Sequence, residues 1–295
     1  MKGKSCFTAE KLIKNESSIH NIFRSGVLKT GMKDLDGMTG GFLPGELICV
    51  AGREAMGSTG LALSILRNVC VKEKKTCLYF SLAENGRALL SRLVANVSHN
   101  MDILKPEYEH QLKDILRIIE KSPLYINEKA YLLKSIERAC EKLIRKTTID
   151  LVIIDYHQLI RTGKKEDSSI VSIRLKQLSR SINCPVIVLC HLDKRIDLRE
   201  NQMPLLSDLK GVGEMNHYAD KVLFLYREDY YDFDTDNKGV AKIFVVKNNN
   251  SGNVGEVILF HKGAGIFESV PKHPKHYRRT IRNDHQIQIL HSRKR

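Results

Sequence analysis

The chain has 295 residues, 42% of them hydrophobic and 28% charged, with a formal net charge of +14 at neutral pH. That is enough apolar material for one large α/β domain or two small ones. No apolar run reaches the ~18 residues a membrane helix needs. The seven cysteines are scattered without C-x-x-C pairs, which argues against a disulfide framework and for a reducing, cytoplasmic setting.

Met1-Lys2-Gly3-Lys4-Ser5-Cys6 lacks the apolar stretch of a secretory signal. Residues 1–27 read as a polar N-terminal extension. Within it, Leu12, Ile13, Ile19, Ile22 and Phe23 are spaced as a weak linker helix that packs on a neighbouring subunit or simply extends the chain. Thr30 to Gly45 is turn-rich. Leu47-Ile48-Cys49-Val50-Ala51 then reads as a first core strand, and Gly60 to Leu66 as a helix. Strands are expected at 75–82, 124–126, 151–155, 185–191, 221–226, 241–246 and 255–260. Helices are expected at 86–97, 107–120, 131–145 and 168–182. In the helix at 131–145, Leu132, Ile136, Ala139, Leu143 and Ile144 are read as the inward face. Near-continuous aliphatic strands alternating with helices predict a mostly parallel sheet covered on both faces. The last strands follow one another without helices and predict an antiparallel extension. Cys49, Cys77, Cys184 and Cys190 lie in apolar runs and read as buried thiols. His191, His217 and the tail histidines lack metal-ligand spacing.

From Pro271 to Arg295 the chain holds eight Lys/Arg against one Asp. Residues 271–295 read as a basic, disordered tail attracted to nucleic acid or another polyanion. The alternative is a solvated tail without a specific partner.

The chemistry concentrates in Gly52-Arg53-Glu54-Ala55-Met56-Gly57-Ser58-Thr59, between the first strand and its helix. The spacing fits the phosphate-binding loop G-x-x-x-x-G-K-[ST] at every defined position but one, where Ser58 replaces lysine. Such a loop still presents backbone N–H groups to an anion at a helix N-terminus. It lacks the ammonium that reaches the β- and γ-phosphates. Val152-Ile153-Ile154-Asp155 delivers a carboxylate to the C-terminal end of a buried strand, the edge where ligands bind in α/β sheets. Asp155 and the Thr59 hydroxyl are the candidate Mg²⁺ ligands.

Further strings carry a resemblance. Thr30-Gly31, Asp34-Leu35-Asp36, Met38-Thr39 and Gly41-x-x-Pro44-Gly45-Glu46-Leu47 are similar to the lead-in of the C-terminal ATPase domain of DnaB-type replicative helicases. So are Met56-Gly57-x-Thr59, Phe80-Ser81-Leu82, Ile154-Asp155-Tyr156-x-Gln158-Leu159-Ile160 and Cys184-Pro185-Val186-Ile187. Met203-Pro204-x-x-Ser207-Asp208-Leu209 and Ala219-Asp220-x-Val222-x-Phe224-Leu225-Tyr226-Arg227-x-Asp229-Tyr230-Tyr231 complete the series. The resemblance spans residues 28–268 and sets a domain at 28–270. It implies a RecA-like P-loop fold, a ring-shaped hexamer on single-stranded DNA, and ATP sites between subunits. Gly52, Arg53, Gly57, Ser58, Thr59, Asp155 and Lys247 are the implied nucleotide-site residues.

The chain departs from that family at its charged catalytic positions. Ser58 stands for the loop lysine and Ala83 for the water-activating glutamate. Adjacent Glu84 is expected on the opposite face by strand alternation. Cys190-His191 replaces the Ser-Gln phosphate sensor. Lys247-Asn248-Asn249 keeps the lysine and loses the arginine of the intersubunit finger. These losses imply weakened ATP and Mg²⁺ binding and a pseudo-ATPase that acts by binding helicase subunits or DNA. One alternative is an active helicase in which Arg53 or Lys247 serves the γ-phosphate. The other is a basic DNA-binding structural protein. The implied DNA-facing loops hold Lys164 and Lys165, then Lys194, Arg195 and Arg199, with Lys210 beyond; the competing reading is ordinary solvated loops. Neither loop has an aromatic to stack a base.

Overall fold

The computed structural model describes residues 26–99, 102–163, 168–209, 211–212, 214–263 and 265–270. The expected linker helix and the basic tail lie outside them. A nine-stranded sheet has the order β3-β2-β4-β5-β1-β6-β7-β8-β9. Its strands are β1 Leu47–Gly52, β2 Cys77–Ser81, β3 Leu124–Asn127, β4 Leu151–Asp155, β5 Val186–His191, β6 Lys221–Tyr226, β7 Val240–Asn248, β8 Gly255–Lys262 and β9 Ile266–Ser269. The first six in space are parallel, and β6, β7, β8 and β9 pair antiparallel in turn. This is the expected α/β architecture with its antiparallel extension.

Alternate residues of the central strands enter two different cores. Ile48 and Val50 of β1 join Ile187 and Leu189 of β5 on one face. Leu47, Cys49 and Ala51 join Val186, Val188 and Cys190 on the other. Burial on both faces explains the unbroken aliphatic runs. Helices α1 (Lys33–Thr39), α2 (Ser58–Leu66), α3 (Gly86–Ser98) and α4 (Glu109–Glu120) contribute to the first core. Helices α5 (Leu133–Ile144), α6 (Ser168–Ile182) and α7 (Met215–Tyr218) cover the second. Cys49, Cys77, Cys184 and Cys190 are all buried, as expected.

Some local expectations are corrected. Helix α2 begins at Ser58 and continues as a π-helical stretch, Arg67–Lys72. The segment read as turns before β1 contains α1, and β9 and α7 were not foreseen. All three are short, four to seven residues, below the window in which periodicity is visible. On α5 the buried stripe is Leu133, Ile136, Cys140 and Leu143, whereas Leu132 and Ile144 are exposed. Leu132 is the extended residue capping α5, so the helical phase starts one residue later than the sequence suggests.

Strand register sets the site. Gly52 pairs with His191, and Ser81 with Asp155. Four strand ends thus meet at one sheet edge.

Candidate nucleotide-binding site

The loop after β1 turns back through two left-handed residues, Ala55 (φ 62°) and Gly57 (φ 103°), before α2 starts. A Cβ on Gly57 would lie 2.9 Å from Phe267 Cζ, so glycine is required there for both space and conformation. Gly60 is packed against the turn between β8 and β9. A Cβ there would overlap the Gly265 carbonyl and sit 2.7 Å from its Cα. The loop and the N-terminal N–H groups of α2 face a cleft of about 310 Å³, lined by Arg53, Gly57, Ser58, Thr59, Arg92, His191, Arg227, His261 and Gly265 among others.

Asp155, the last residue of β4, is 3% exposed. Its Oδ2 accepts from the Tyr79 hydroxyl at 2.8 Å. Burial pushes the carboxyl above its ordinary value, against hydrogen bonds from Tyr79 and Thr59 and the nearby charge of Arg92. The structure therefore brings Thr59 and Asp155 together. A carboxylate beside a hydroxyl is a hard oxygen pair of the kind Mg²⁺ takes, so the two fit that ion. Bound there, Mg²⁺ would neutralise phosphate charge.

Ser58 occupies the lysine position, but its Oγ is buried without a hydrogen-bond partner among the described residues. It lies 3.0 Å from where a Gly52 Cβ would be, tucked under the loop. Arg53 Nε and Nη2 donate to Asp197 at 3.0 and 2.7 Å, and Nη1 donates to the Leu192 carbonyl at 3.2 Å. The Tyr231 hydroxyl donates to the same Asp197 at 3.1 Å. Hydrogen bonding from Arg53 holds the Asp197 carboxyl below its ordinary value.

His191 lines the cleft, stacks on Tyr156 at 3.9 Å between centroids, and has its Nδ1 3.7 Å from Glu54. Burial lowers its pKa, against the pull of Glu54. His261, also lining the cleft, is held at about 4 by burial and then by Arg227.

Ala83 is exposed beyond the end of β2. Glu84, by contrast, pairs with cleft-lining Arg92 at 3.2 Å. Alternation does not apply to it, because β2 ends at Ser81 and the Ser81 hydroxyl bonds the Glu84 carbonyl at 2.7 Å across a bend.

Lys247 lies at the other edge of the sheet. It pairs with Val222 near the start of β6, and its Nζ donates to the carbonyls of Asn216 and His217 at 2.9 and 3.1 Å. Burial lowers its pKa. It does not face its own chain's loop. Asn249 is exposed in the turn after β7.

Of the candidate DNA-facing residues, Lys164, Lys165 and Lys210 lie outside the described residues. Lys194 is exposed. Arg195 is exposed and paired with Asp193 at 2.6 Å. Arg199 turns inward, donating to Asp208 at 2.8 Å and to the Met203 carbonyl at 2.9 Å, which makes it a structural tie.

Sequence reasoning missed Arg92, His261 and Gly265. No short motif marks them, since α3, β8 and β9 reach the cleft only through packing. Arg227 stood within the Tyr226 to Tyr231 string but was given no role. Among the described residues no helix is long and apolar enough to cross a membrane, and no cluster of metal-ligating side chains occurs.

A parallel sheet with a glycine-bounded loop running into a helix, faced by a strand-end Asp, defines the core of a RecA-like P-loop fold. Comparison with known proteins narrows this. The profile of the DnaB-like helicase C terminal domain matches residues 27–268, and the chain belongs to that family. It is 33% identical over 261 residues to replicative DNA helicase DnaB of Geobacillus stearothermophilus. It is 34% identical over 261 residues to replicative DNA helicase DnaC of Bacillus subtilis (strain 168). Both alignments cover 83% of this chain and 57% of the relative, so the chain matches little more than half the length of these proteins. Among solved structures, the ATPase domain of G40P superimposes with a TM-score of 0.80 at 27% identity, covering 89% of this chain and 98% of that one. A DnaB-like replicative helicase, solved in a study of its interactions with primase, gives a TM-score of 0.79 at 27% identity, covering 91% of this chain and 68% of that one.

Proposed function

We propose that this chain is a DnaB-type ATPase core working in DNA replication. It binds a nucleotide with Mg²⁺ in the loop cleft, turns it over slowly or not at all, and acts by engaging helicase subunits or single-stranded DNA. The observation that carries the reading is Ser58. Around it the phosphate-binding frame is kept: the loop, the N-terminus of α2, and Thr59 beside Asp155. At the position of the lysine there is only a short hydroxyl aimed under the loop. Phosphoryl transfer depends on positioning and charge stabilisation, and an arginine finger alone contributes roughly 10³–10⁵ in rate. With Ser58, Ala83 and Asn249 at three such positions, binding outlasts turnover.

The test measures nucleotide binding beside hydrolysis, on wild type and Ser58→Lys. The reading expects Mg-dependent ATP binding without family-like turnover in the wild type, and tighter binding by Ser58→Lys. Rapid, DNA-stimulated hydrolysis by the wild type would overturn it. A second reading, an active enzyme with a rearranged site, is favoured by Glu84, whose carboxylate pairs with cleft-lining Arg92. It expects turnover that is lost in both Glu84→Gln and Asp155→Ala.

A further inference from the structure

Helices α4 and α5 are both 12 residues long and carry their charges in opposite ways. On α4 the charges are of both signs and laced together, Lys113 to Glu109 at 2.7 Å and Arg117 to Asp114 at 3.2 Å. On α5 they are mostly positive. From Lys129 to Lys146 the chain holds six Lys/Arg against two Glu. Lys134, Arg138, Lys142 and Arg145 are exposed. At about 3.6 residues per turn they share one face, opposite the buried stripe of Leu133, Ile136, Cys140 and Leu143. Of the two glutamates, Glu137 pairs with Arg174 of α6. Glu141 is exposed on the basic face. Among the described residues neither it nor any of the four cations has an ion-pair partner.

This arrangement does not stabilise a helix. Lys134 and Arg138, then Arg138 and Lys142, are like-charge neighbours at i and i+4, which repel. The macrodipole favours cations in the last turn, which accounts for Lys142 and Arg145. It disfavours them in the first turn, where α5 has Lys134 and no acid. A line of unpaired cations is relieved by a line of anions. At 1.5 Å per residue the stripe runs about 16 Å from Lys134 to Arg145, the length of up to about five phosphates of a stacked strand at 3.4 Å each. At its first end stands Tyr131, 38% exposed. Exposed Arg161 lies beside it, its N–H donating to the Tyr131 carbonyl at 2.8 Å and its carbonyl accepting from the Leu133 N–H at 2.9 Å. A cationic line that ends on an exposed aromatic suits a single strand, with phosphates along the line and a base on the ring.

We propose that the outer face of α5 is a track for the phosphate backbone of single-stranded DNA, carried by Lys134, Arg138, Lys142 and Arg145, with Tyr131 stacking a base at one end. The proposal rests on the single-stranded DNA side of the function proposed above and is independent of the nucleotide cleft. The track is on a different element from the loop residue Lys194, which begins a short helical turn after β5. Glu141 is the one carboxylate the strand must pass. Removing it and removing the cations should therefore move affinity in opposite directions, an outcome that damage to the fold does not produce.

The test is fluorescence anisotropy of a labelled oligothymidylate of about 20 nucleotides, titrated with the full chain over roughly 50–300 mM salt. Residues 271–295 are common to every variant. Arg138→Ala/Lys142→Ala/Arg145→Ala removes three phosphate contacts. It should flatten the slope of log affinity against log salt by about 2 and weaken binding about 10–100-fold at about 0.1 M salt. Tyr131→Ala should weaken binding about 5-fold or more with the slope unchanged. Glu141→Gln should tighten it by up to about 5-fold. Lys113→Ala/Arg117→Ala/Lys121→Ala changes the net charge equally, on and beside α4, and should leave the slope unchanged. A wild-type slope in the α5 triple variant, the same loss in both triple variants, or full affinity in Tyr131→Ala overturns the track and leaves DNA engagement standing. No binding by wild type overturns the DNA side of the proposed function as well. Far-UV circular dichroism checks each fold, and Arg138→Gln/Lys142→Gln/Arg145→Gln carries the test if the alanine variant does not fold.

Discussion

The strand that carries the phosphate loop is anchored at its far end by a buried ion pair, and breaking that pair should come close to unfolding the domain. Lys221 Nζ lies 2.5 Å from Glu46 Oε1, with side chains 0% and 6% exposed. Lys221 begins β6 and pairs with Ile48 of β1, while Glu46 immediately precedes β1. At that distance and an effective dielectric of about 20, the attraction is roughly 7 kcal/mol. Desolvating two ions costs several kcal/mol each, so the intact pair contributes little net stability. The single variant Lys221→Met is another matter. It leaves the Glu46 carboxylate buried with only the Leu43 N–H at 2.8 Å and the Asn250 amide. Removing one partner of such a pair costs about 3–5 kcal/mol, a large part of a typical domain's ~5–15 kcal/mol. The double variant Glu46→Gln/Lys221→Met removes both charges and should return to within about 1–2 kcal/mol of wild type. Urea unfolding followed by far-UV circular dichroism reads this directly, the chain having no tryptophan. A loss below about 1 kcal/mol in Lys221→Met, or a double variant no more stable than the single one, would refute the reasoning.

Gly60→Ala should destabilise the fold by about 1–3 kcal/mol, because overlap with the Gly265 backbone outweighs the ~1 kcal/mol helix preference of alanine; an unchanged or raised melting temperature would count against this packing. His157 is buried and held at about 4 against an ordinary 6.5. Between those values the unfolded chain takes up a proton that the folded chain refuses. Stability present above pH 6.5 is therefore lost as pH falls towards 4, by about 3 kcal/mol for this group. His261, also at about 4, acts in the same window, so His157→Gln should lower the slope of stability against pH there without abolishing it; an unchanged slope would be inconsistent with a buried neutral ring. Arg199→Ala should cost about 1–2 kcal/mol through its lost tie to Asp208 and leave single-stranded DNA affinity unchanged. Lys194→Ala should leave stability unchanged and lower that affinity, with a salt slope shallower by about 1. Equal loss of DNA affinity in both variants would contradict the inward orientation of Arg199.

What the chain encodes locally could be read without its structure. The aliphatic runs at β1, β4, β5 and β6 specify buried strands because every residue of a parallel, doubly covered strand faces a core. The Gly-x4-Gly-x-Thr spacing specifies the loop because strand, turn and helix are contiguous in sequence. The empty lysine position at Ser58 was visible for the same reason. Only the tertiary structure decided what meets across the sheet. The pairings Gly52 with His191 and Ser81 with Asp155 depend on strand order, which no local pattern contains. Helix α3 and the β8–β9 turn bring Arg92, His261 and Gly265 to the cleft from distant positions. A bend past the last residue of β2 brings Glu84 to Arg92 where alternation would have turned it away. Lys247 lies at the far edge because β7 runs antiparallel to β6, and Arg199 spends its charge on Asp208. Charge is legible in sequence; which charges are already paired is a property of non-local contacts.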